Sequence, residues 1–481
     1  MTAVEGILHW HSATPELGLA VAAMALLMVG VFSRRAATDI VSLLALATLA
    51  LTAALVLASD RPVVAFGGLF LVDDFAIFVK MVVLASAALA LVLSLDWNRR
   101  EGIDRFEYPV LVLFAALGMI MMVSANDLMS LYLGLELSSL SLYVLAAIRR
   151  DDLRATEAGL KYFVLGALAS AMMLYGMSLT YGFAGTTRFN GIAEAVAAGP
   201  ESVGLAIGLC FVVAGLAFKV SAAPFHMWTP DVYEGAPTPV TAFFSVAPKF
   251  AAVAVMMRVL TGPFGPALEQ WTQIVLLAAI ASMLVGAFAA LRQTNIKRLM
   301  AYSSISHVGY ALIGLAAAKE EGLRAVILYM TIYVATNLGA FGCIVALRRQ
   351  GVACEQIDDF AGLAESAPGL ALALAVLMFS MAGIPPLAGF FAKLWVFVAA
   401  VQAGLWPLAV VGVLASVVSA FYYLRIVKLM YFDRSSGALD ALHGGVGVVV
   451  AFSGILAAGF VFLPSPLMVA AGGAVQSLLV P

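Results

Sequence analysis

The sequence contains few charged residues and long apolar runs. Of its 481 residues, 11% are charged and 63% are hydrophobic, whereas soluble domains carry about 25% charged residues. A water-soluble fold would leave much of this apolar surface exposed, so the composition predicts a polytopic membrane protein. The net charge of -2 is too small to indicate a nucleic-acid or polyanion partner.

Cysteine and cofactor-binding motifs are also scarce. Cys210, Cys343 and Cys354 are scattered, and no two have the spacing of a metal clip or a redox pair. The sequence lacks a glycine-rich nucleotide fingerprint and a ligand set for haem or an iron–sulfur cluster. We therefore expect the chain to bind no cofactor and no metal, and any electron chemistry to occur on another subunit. The N-terminus lacks the positive segment of a cleavable signal, so the first apolar run is expected to be a retained helix.

The apolar runs predict an all-α membrane protein with 14 spanning helices, because each span needs about 20 apolar residues. The predicted spans are 16–32, 39–58, 75–95, 107–124, 127–147, 160–183, 203–223, 238–261, 270–291, 298–317, 324–347, 367–402, 405–430 and 444–464.

The basic residues between spans predict the orientation. If the loop with Arg34 and Arg35 is cytoplasmic, the loops on that side carry 15 basic residues and the opposite loops carry 5. Such a bias is typical of the cytoplasmic side, so both termini are expected on the periplasmic side. The five opposite residues are Arg61, Arg188, Arg258, Lys319 and Arg324.

Helix-breaking residues follow span 7 and lie within span 12. Span 7 is followed by Pro224 and Pro230, and span 12 contains Gly383, Pro385 and Pro386. Proline removes a backbone donor and clashes with the preceding turn, so each span is predicted to be broken. The two spans run in opposite directions, which is typical of an inverted-repeat transporter with spans 4–8 paired to spans 9–13. The predicted organisation of the single transmembrane domain is three peripheral helices (1–106), two repeats (107–262 and 263–430) and a final helix (431–481).

Lysine lies inside the apolar runs, whereas most arginines lie between them. Arginine keeps its charge in proteins, but lysine can release a proton when desolvated, so this division indicates proton handling. Glu136 and Lys249 each lie about 15 Å into a span, near the membrane midplane. Lys219 and Lys393 lie beside the two breaks, where freed backbone groups and water can solvate a charge. These four residues are predicted to form a proton-transfer row, with Glu136 and Lys219 as an ion pair that acts as a switch; the alternative is that they only fix helix packing.

Other titratable residues have weaker signals. Lys161 lies at the inner end of span 6 and is placed either at the interface or at a site of proton uptake. Lys297 is expected to orient span 10 or to feed a cytoplasmic channel. His226 and His307 are candidate proton relays or packed core residues. Lys80 lies five residues into span 3, so its side chain is predicted to extend to the interface.

Three long motifs resemble a known family. They are segment 224–240 (PFHMWTPDVYEGAPTPV) with Lys249 following in Ala-Pro-Lys, segment 295–310 (NIKRLMAYSSISHVGY) and segment 383–393 (GIPPLAGFFAK). These motifs resemble the antiporter-like membrane subunits of respiratory complex I, most closely the subunit N type of bacterial NADH–quinone oxidoreductase. The resemblance covers essentially the whole chain.

The resemblance implies a function and a set of roles. It implies a proton-translocating subunit of the bacterial inner membrane, with Glu136 as partner carboxylate, Lys219 as central lysine, Lys249 as connecting lysine and Lys393 toward the exit. NAD, FMN, iron–sulfur clusters and quinone are expected on other subunits, and the expected partners are other membrane subunits of the complex, membrane lipids and protons.

Two alternatives remain open at the level of sequence. One is a subunit of a multi-subunit sodium/proton antiporter or membrane-bound hydrogenase, which shares the fold. The other is a structural membrane scaffold whose buried charges serve only helix packing.

Overall fold

The structure is a computed structural model that describes residues 9–33, 37–199, 202–434, 437–441 and 444–479. Arg34 and Arg35, on which the orientation argument begins, lie outside the described residues. The first ten α-helices are α1 Thr14–Phe32, α2 Ala37–Leu57, α3 Asp74–Arg100, α4 Glu107–Val123, α5 Leu128–Ala146, α6 Leu153–Ala184, α7 Phe189–Ala198, α8 Val203–Val220, α9 Trp228–Gly235 and α10 Thr238–Thr261. The others are α11 Leu268–Ala290, α12 Ile296–Ala316, α13 Glu320–Ala346, α14 Leu363–Ser366, α15 Pro368–Ala382, α16 Ala388–Gln402, α17 Trp406–Phe432, α18 Gly444–Gly459 and α19 Ser465–Leu479.

The predicted set of 14 crossings is confirmed. Twelve segments of the described chain are long and apolar enough to span a membrane. The 17-residue α4 and the pair α15–α16 supply the other two crossings. The helix α19 was not predicted as a separate element. Two short antiparallel hairpins join the helices, β1 Val63–Ala65 with β2 Phe70–Val72, and β3 Arg348–Arg349 with β4 Val352–Ala353.

Both predicted breaks are present. Helix α8 ends at Ser221, whose φ of 64° lets its N–H bond the carbonyls of Ala217 and Phe218. Helix α15 ends in the same way at Gly383, with a φ of 87° and bonds to Phe379 and Ser380. Helices α9 and α16 then complete the two crossings. Each discontinuous helix is the fourth crossing of its five-helix repeat, and four crossings lie between them, so the two run in opposite directions.

Side-chain caps start several helices. The carboxylate of Asp73 accepts from Ala76 N at the start of α3, and that of Asp127 accepts from Met129 N and Ser130 N at the start of α5. Asp152 and Asn295 do the same for α6 and α12. These bonds satisfy backbone donors that have no partner within the helix.

We call the end with loops 101–106, 147–152, 291–295 and 347–362 the arginine-rich end.

Burial distinguishes the centre of the bundle from its periphery. In the most apolar 18-residue stretch of each helix, 94% is buried in α10 and in α12, and 89% is buried in α13. In α1, α2, α17 and α18 it is 33%. The charged side chains of α10, Lys249 and Arg258, are therefore enclosed by protein, whereas the outer helices expose apolar faces.

Candidate functional site

Lys219 lies in the last turn of α8, directly before the break. Its Nζ donates to Ser139 Oγ at 2.7 Å and to Tyr143 OH at 3.4 Å, both on α5. The ammonium also lies 5.7 Å from the centre of the Tyr143 ring, within the range of a cation–π contact. The break thus places the Lys219 ammonium next to the hydroxyl groups of Ser139 and Tyr143.

Glu136 lies one turn before Ser139 on α5 and accepts a hydrogen bond from Ser170 Oγ on α6. The predicted direct ion pair between Glu136 and Lys219 is not formed among the described residues. Instead, Ser139 and Tyr143, which follow Glu136 on the same helix, provide the hydroxyls that Lys219 contacts. The sequence prediction of a hydroxyl-rich surrounding holds, but the direct contact was wrong.

Lys249 is 1% exposed in the middle of α10. It donates to Ser304 Oγ on α12, and Tyr333 OH on α13 donates to the same oxygen at 2.8 Å. The ring of Tyr233 lies 5.1 Å from Nζ. The three most buried helices therefore meet at Ser304, which accepts from a lysine on one side and a tyrosine on the other.

His307 continues the polar contacts one turn along α12. Its ring lies 5.1 Å from the Tyr333 ring, and its Nδ1 is 2.6 Å from Tyr329 OH. Its Nε2 is 3.1 Å from Tyr423 OH, which in turn lies 2.5 Å from Ser303 Oγ. An imidazole bonded at both nitrogens can accept a proton on one side and release one on the other.

Lys393 lies on α16, beside the second break. It donates to Ala382 O at 3.0 Å and to Ser416 Oγ at 2.8 Å. Its Nζ lies 5.0 Å from the ring centre of Tyr310, which packs 6.1 Å from His307. The Ala382 carbonyl is one of those freed by the end of α15, so the break supplies a ligand for the ammonium.

We call Lys219, Lys249 and Lys393, with their hydroxyl and tyrosine neighbours, the central row. Within the described chain none of these lysines forms an ion pair; their contacts are hydroxyls, one carbonyl and aromatic rings. The polar positions of α12 explain the continuity of the second half. Ser304, His307 and Tyr310 are spaced three residues apart, and Ser303 lies four residues before His307, so these side chains lie on one side of that helix.

Lys161 lies away from the central row, at the arginine-rich end. It bonds Asp231 on α9 and Glu157 on its own helix, each at 2.8 Å, and it is 41% exposed. Arg298 reaches Asp231 at 2.7 Å and Glu234 at 3.0 Å. These side chains line a cavity of about 260 Å³. The carboxylate of Asp231 on α9 is therefore shared between two cations, Lys161 and Arg298.

Lys297 and His226 occupy separate positions. Lys297 is 3% exposed and is bonded to Glu355 at 2.6 Å and to Ala236 O at 3.1 Å. His226 lies partly buried within the first break, and its Nδ1 has no partner among the described residues. Neither residue contacts a lysine of the central row in the part of the chain described.

Two predictions about the opposite end were wrong. Lys80 does not extend to the interface: it is 2% exposed and forms an ion pair with Glu16 of α1 at 2.6 Å. Arg258 is not a loop residue: it lies within α10, is 6% exposed and pairs with Asp73 at 2.8 Å. In both cases a carboxylate from another part of the chain offsets the cost of burying the cation. The position of the cation in the sequence does not reveal such a partner.

Sequence reasoning also missed the residues that link the lysines. Tyr329 and Tyr333 are spaced four apart on α13, and Tyr423 lies on α17. The signal that was available is their position inside apolar spans, where a tyrosine hydroxyl needs a partner. Within the described residues, no cluster of three or more His, Cys, Asp or Glu side chains suited to a metal ion is present.

Comparisons with known proteins identify the family. Residues 125–419 match the family described as NADH:quinone oxidoreductase/Mrp antiporter, TM. The chain is 58% identical over 471 residues to NADH-quinone oxidoreductase subunit N of Rhodospirillum rubrum, with 97% of each chain covered. It is 57% identical to the subunit N of Parvibaculum lavamentivorans, with 99% of each covered.

A solved structure of respiratory complex I from Thermus thermophilus with bound aureothin contains a similar chain. The two share 33% sequence identity and a TM-score of 0.81, over 95% of this chain and 99% of that one. The fold with two discontinuous helices, the match of residues 125–419 and the full-length relatives agree. The chain belongs to the NADH-quinone oxidoreductase subunit N family.

Proposed function

We propose that this chain is a proton-translocating membrane subunit of NADH:quinone oxidoreductase in the bacterial inner membrane. The observation that carries the proposal is the central row, in which three enclosed lysines have hydroxyl and aromatic partners but no carboxylate within ion-pair distance among the described residues. A buried ammonium solvated by neutral groups is poised to lose its proton, whereas one in a direct ion pair is held charged. This is the arrangement that proton transfer requires.

Transfer along the row uses hydroxyl and imidazole groups. A charge placed near Glu136 changes the stability of the Lys219 ammonium through Ser139 and Tyr143. From Lys249, Ser304 and Tyr333 lead toward His307, and Tyr310 adjoins both His307 and Lys393. Water between these groups completes the steps that their direct contacts do not span.

Proton uptake is proposed at the arginine-rich end, taken as cytoplasmic. Lys161 and Asp231 line the cavity there, and His226 lies between that cavity and Lys219 along the chain. Lys297 is proposed as a second uptake residue because it lies at the first turn of α12, the helix that carries Ser304 and His307. Both termini would then lie on the periplasmic side.

The energy comes from outside this chain. Moving one charge against 100 mV costs about 2.3 kcal/mol, so the row needs a conformational or electrostatic input. We propose that NAD, FMN, iron–sulfur clusters and quinone on other subunits of the complex supply that input. The repeats 107–262 and 263–430 would form the two half-channels, with 1–106 and 431–481 as flanking helices.

Substitution of Lys219 by methionine tests the proposal. Methionine keeps a similar apolar stem and removes the charge, so NADH-driven proton pumping in reconstituted vesicles should fall by more than about tenfold. Complex content and the flavin-site oxidation of NADH by an artificial acceptor should stay normal. Full pumping by an assembled Lys219→Met complex would contradict the proposal and favour a scaffold role. The matched control is Lys428→Met, since Lys428 is an exposed lysine paired with Asp433.

A further inference from the structure

An apolar groove runs along the outside of the bundle. It has a volume of about 460 Å³ and lies between α3, α13 and α18, with the start of α19 at one end. Its walls are hydrocarbon side chains, including Val82, Leu89, Leu338, Phe452 and Phe460. Ser86, Thr331 and Ser453 also line it, and the hydroxyls of Ser86 and Thr331 bond carbonyls of their own helices. The groove therefore offers an occupant mainly hydrocarbon contact.

Three partly exposed residues of α13 form a stripe that leads into the groove. Between Gly322 and Val345 this helix is buried except at three positions, Arg324, Thr331 and Ala335. Their spacing of seven and four residues places them on one face, and Thr331 and Ala335 line the groove. Arg324 lies about 16 Å from Ala335 along the helix axis, at the end opposite the arginine-rich end. The stripe thus runs from a cation at the membrane surface into an apolar channel.

The charge of Arg324 is not neutralised by any described side chain. It forms no hydrogen bond or ion pair with another described residue, although Glu320 and Glu321 lie in the preceding turn and are exposed. Lys80, Arg258 and Arg298, by contrast, each have a carboxylate partner. A guanidinium at headgroup depth is a strong ligand for a phosphate.

We infer that the groove binds an anionic phospholipid of the leaflet opposite the arginine-rich end, with its phosphate at Arg324 and one acyl chain along Thr331 and Ala335. The cation at the end of the stripe favours a lipid over an apolar protein helix, because a guanidinium at headgroup depth binds a phosphate. This inference does not depend on the proton path.

A second groove on the same protein serves as an internal control. It lies between α16 and α17, has a volume of about 480 Å³ and is lined by Val398, Trp406, Val410 and Val413 among others. None of its lining residues is basic. The two grooves therefore match in size and hydrocarbon character, but the chain that forms the second contains no basic residue between 394 and 424.

The experiment uses the assembled complex in phosphatidylcholine nanodiscs that contain a second lipid with brominated acyl chains. The brominated lipid is phosphatidylglycerol in one sample and phosphatidylcholine in the other. Cryo-electron microscopy should locate bromine in the α3–α13–α18 groove only with brominated phosphatidylglycerol, with a phosphate at the Arg324 guanidinium. The α16–α17 groove should show no preference between the two lipids. An empty first groove, a protein helix seated in it, or equal occupancy by both lipids would overturn the inference.

Variants separate the headgroup from the chain. Arg324→Gln should lower the preference for phosphatidylglycerol over phosphatidylcholine about tenfold, the loss expected for one charge-assisted contact. Lys319→Gln, a nearby exposed lysine off the stripe, should leave it unchanged. Ala335→Phe should remove the bound chain, whereas Val413→Phe in the second groove should not. An unchanged preference in Arg324→Gln, or a retained chain in Ala335→Phe, would contradict the assignment.

Discussion

The central row and the opposite end of the bundle both contain buried cations, but they are solvated differently. Lys249 in the row contacts Ser304 and the Tyr233 ring. Lys80 and Arg258 at the opposite end are equally buried, yet each has a carboxylate partner from another helix. A direct carboxylate holds a buried cation in its charged state, whereas hydroxyls and rings solvate it without fixing that state. Burial of a charge in this protein therefore indicates two roles, and the partner decides between them.

Breaking the ion pair of Asp73 and Arg258 is expected to have the largest effect. Asp73→Asn keeps a side chain able to cap α3 but leaves Arg258 buried without a counter-charge. The expected loss of stability is about 3–5 kcal/mol, measured as earlier loss of this subunit from the detergent-solubilised complex on heating. Asp127→Asn is the matched control, because Asp127 caps α5 but pairs with no cation in the described chain. Equal stability of the two variants would remove the distinction between the regions.

Replacing Lys249 by arginine is expected to have the next largest effect. Arginine preserves a positive charge but does not release its proton, so it turns a member of the row into a fixed cation. Proton pumping per NADH oxidised should fall by more than about tenfold, with normal complex content. Lys428→Arg, at an exposed position, controls for the chemistry of the substitution. Retained pumping would show that the proton on Lys249 does not move.

Removing Ser304 is expected to have an intermediate effect. Ser304 accepts from both Lys249 and Tyr333, so Ser304→Ala leaves a buried ammonium short of a partner. The cost should be about 1–3 kcal/mol, distributed between stability and turnover. A double-mutant cycle with Tyr333→Phe measures the coupling in pumping rate, and additive effects would argue against a shared path. Ser306→Ala is the control, since its hydroxyl has only a long contact to Met283 O at 3.4 Å.

Replacing the whole pair of Lys80 and Glu16 is expected to have the smallest effect. Apolar residues of similar volume often substitute for a buried ion pair at little cost in stability. Lys80→Met with Glu16→Leu should therefore pump within about twofold of the natural sequence, whereas Glu16→Leu alone should destabilise the complex. Loss of pumping in a stable double variant would place Lys80 in the proton path.

The sequence predicts the crossings and the breaks because both depend on local chemistry. Proline and glycine interrupt α8–α9 and α15–α16, and distance along a helix gives the depth of Lys249. It does not predict partners, since the neighbours of Lys249 come from α12 and α13. For the same reason Lys80 was assigned to the interface: its depth was right, but the carboxylate of Glu16 lies 64 positions away in sequence. The terminal helix α19 was missed because its 15 residues are shorter than a span.

The glycine that ends α15 couples the geometry of the second break to the position of Lys393. A Cβ atom at Gly383 would lie 2.9 Å from Lys393 Cδ, so the lysine side chain occupies the space that a larger residue would need. Its φ of 87° adds a second penalty for any other residue. Shortening residue 393 would remove the contact but leave the backbone penalty at position 383. The same glycine therefore both ends α15 and leaves room for the Lys393 side chain, and a substitution at 383 is expected to disturb the break and the lysine together.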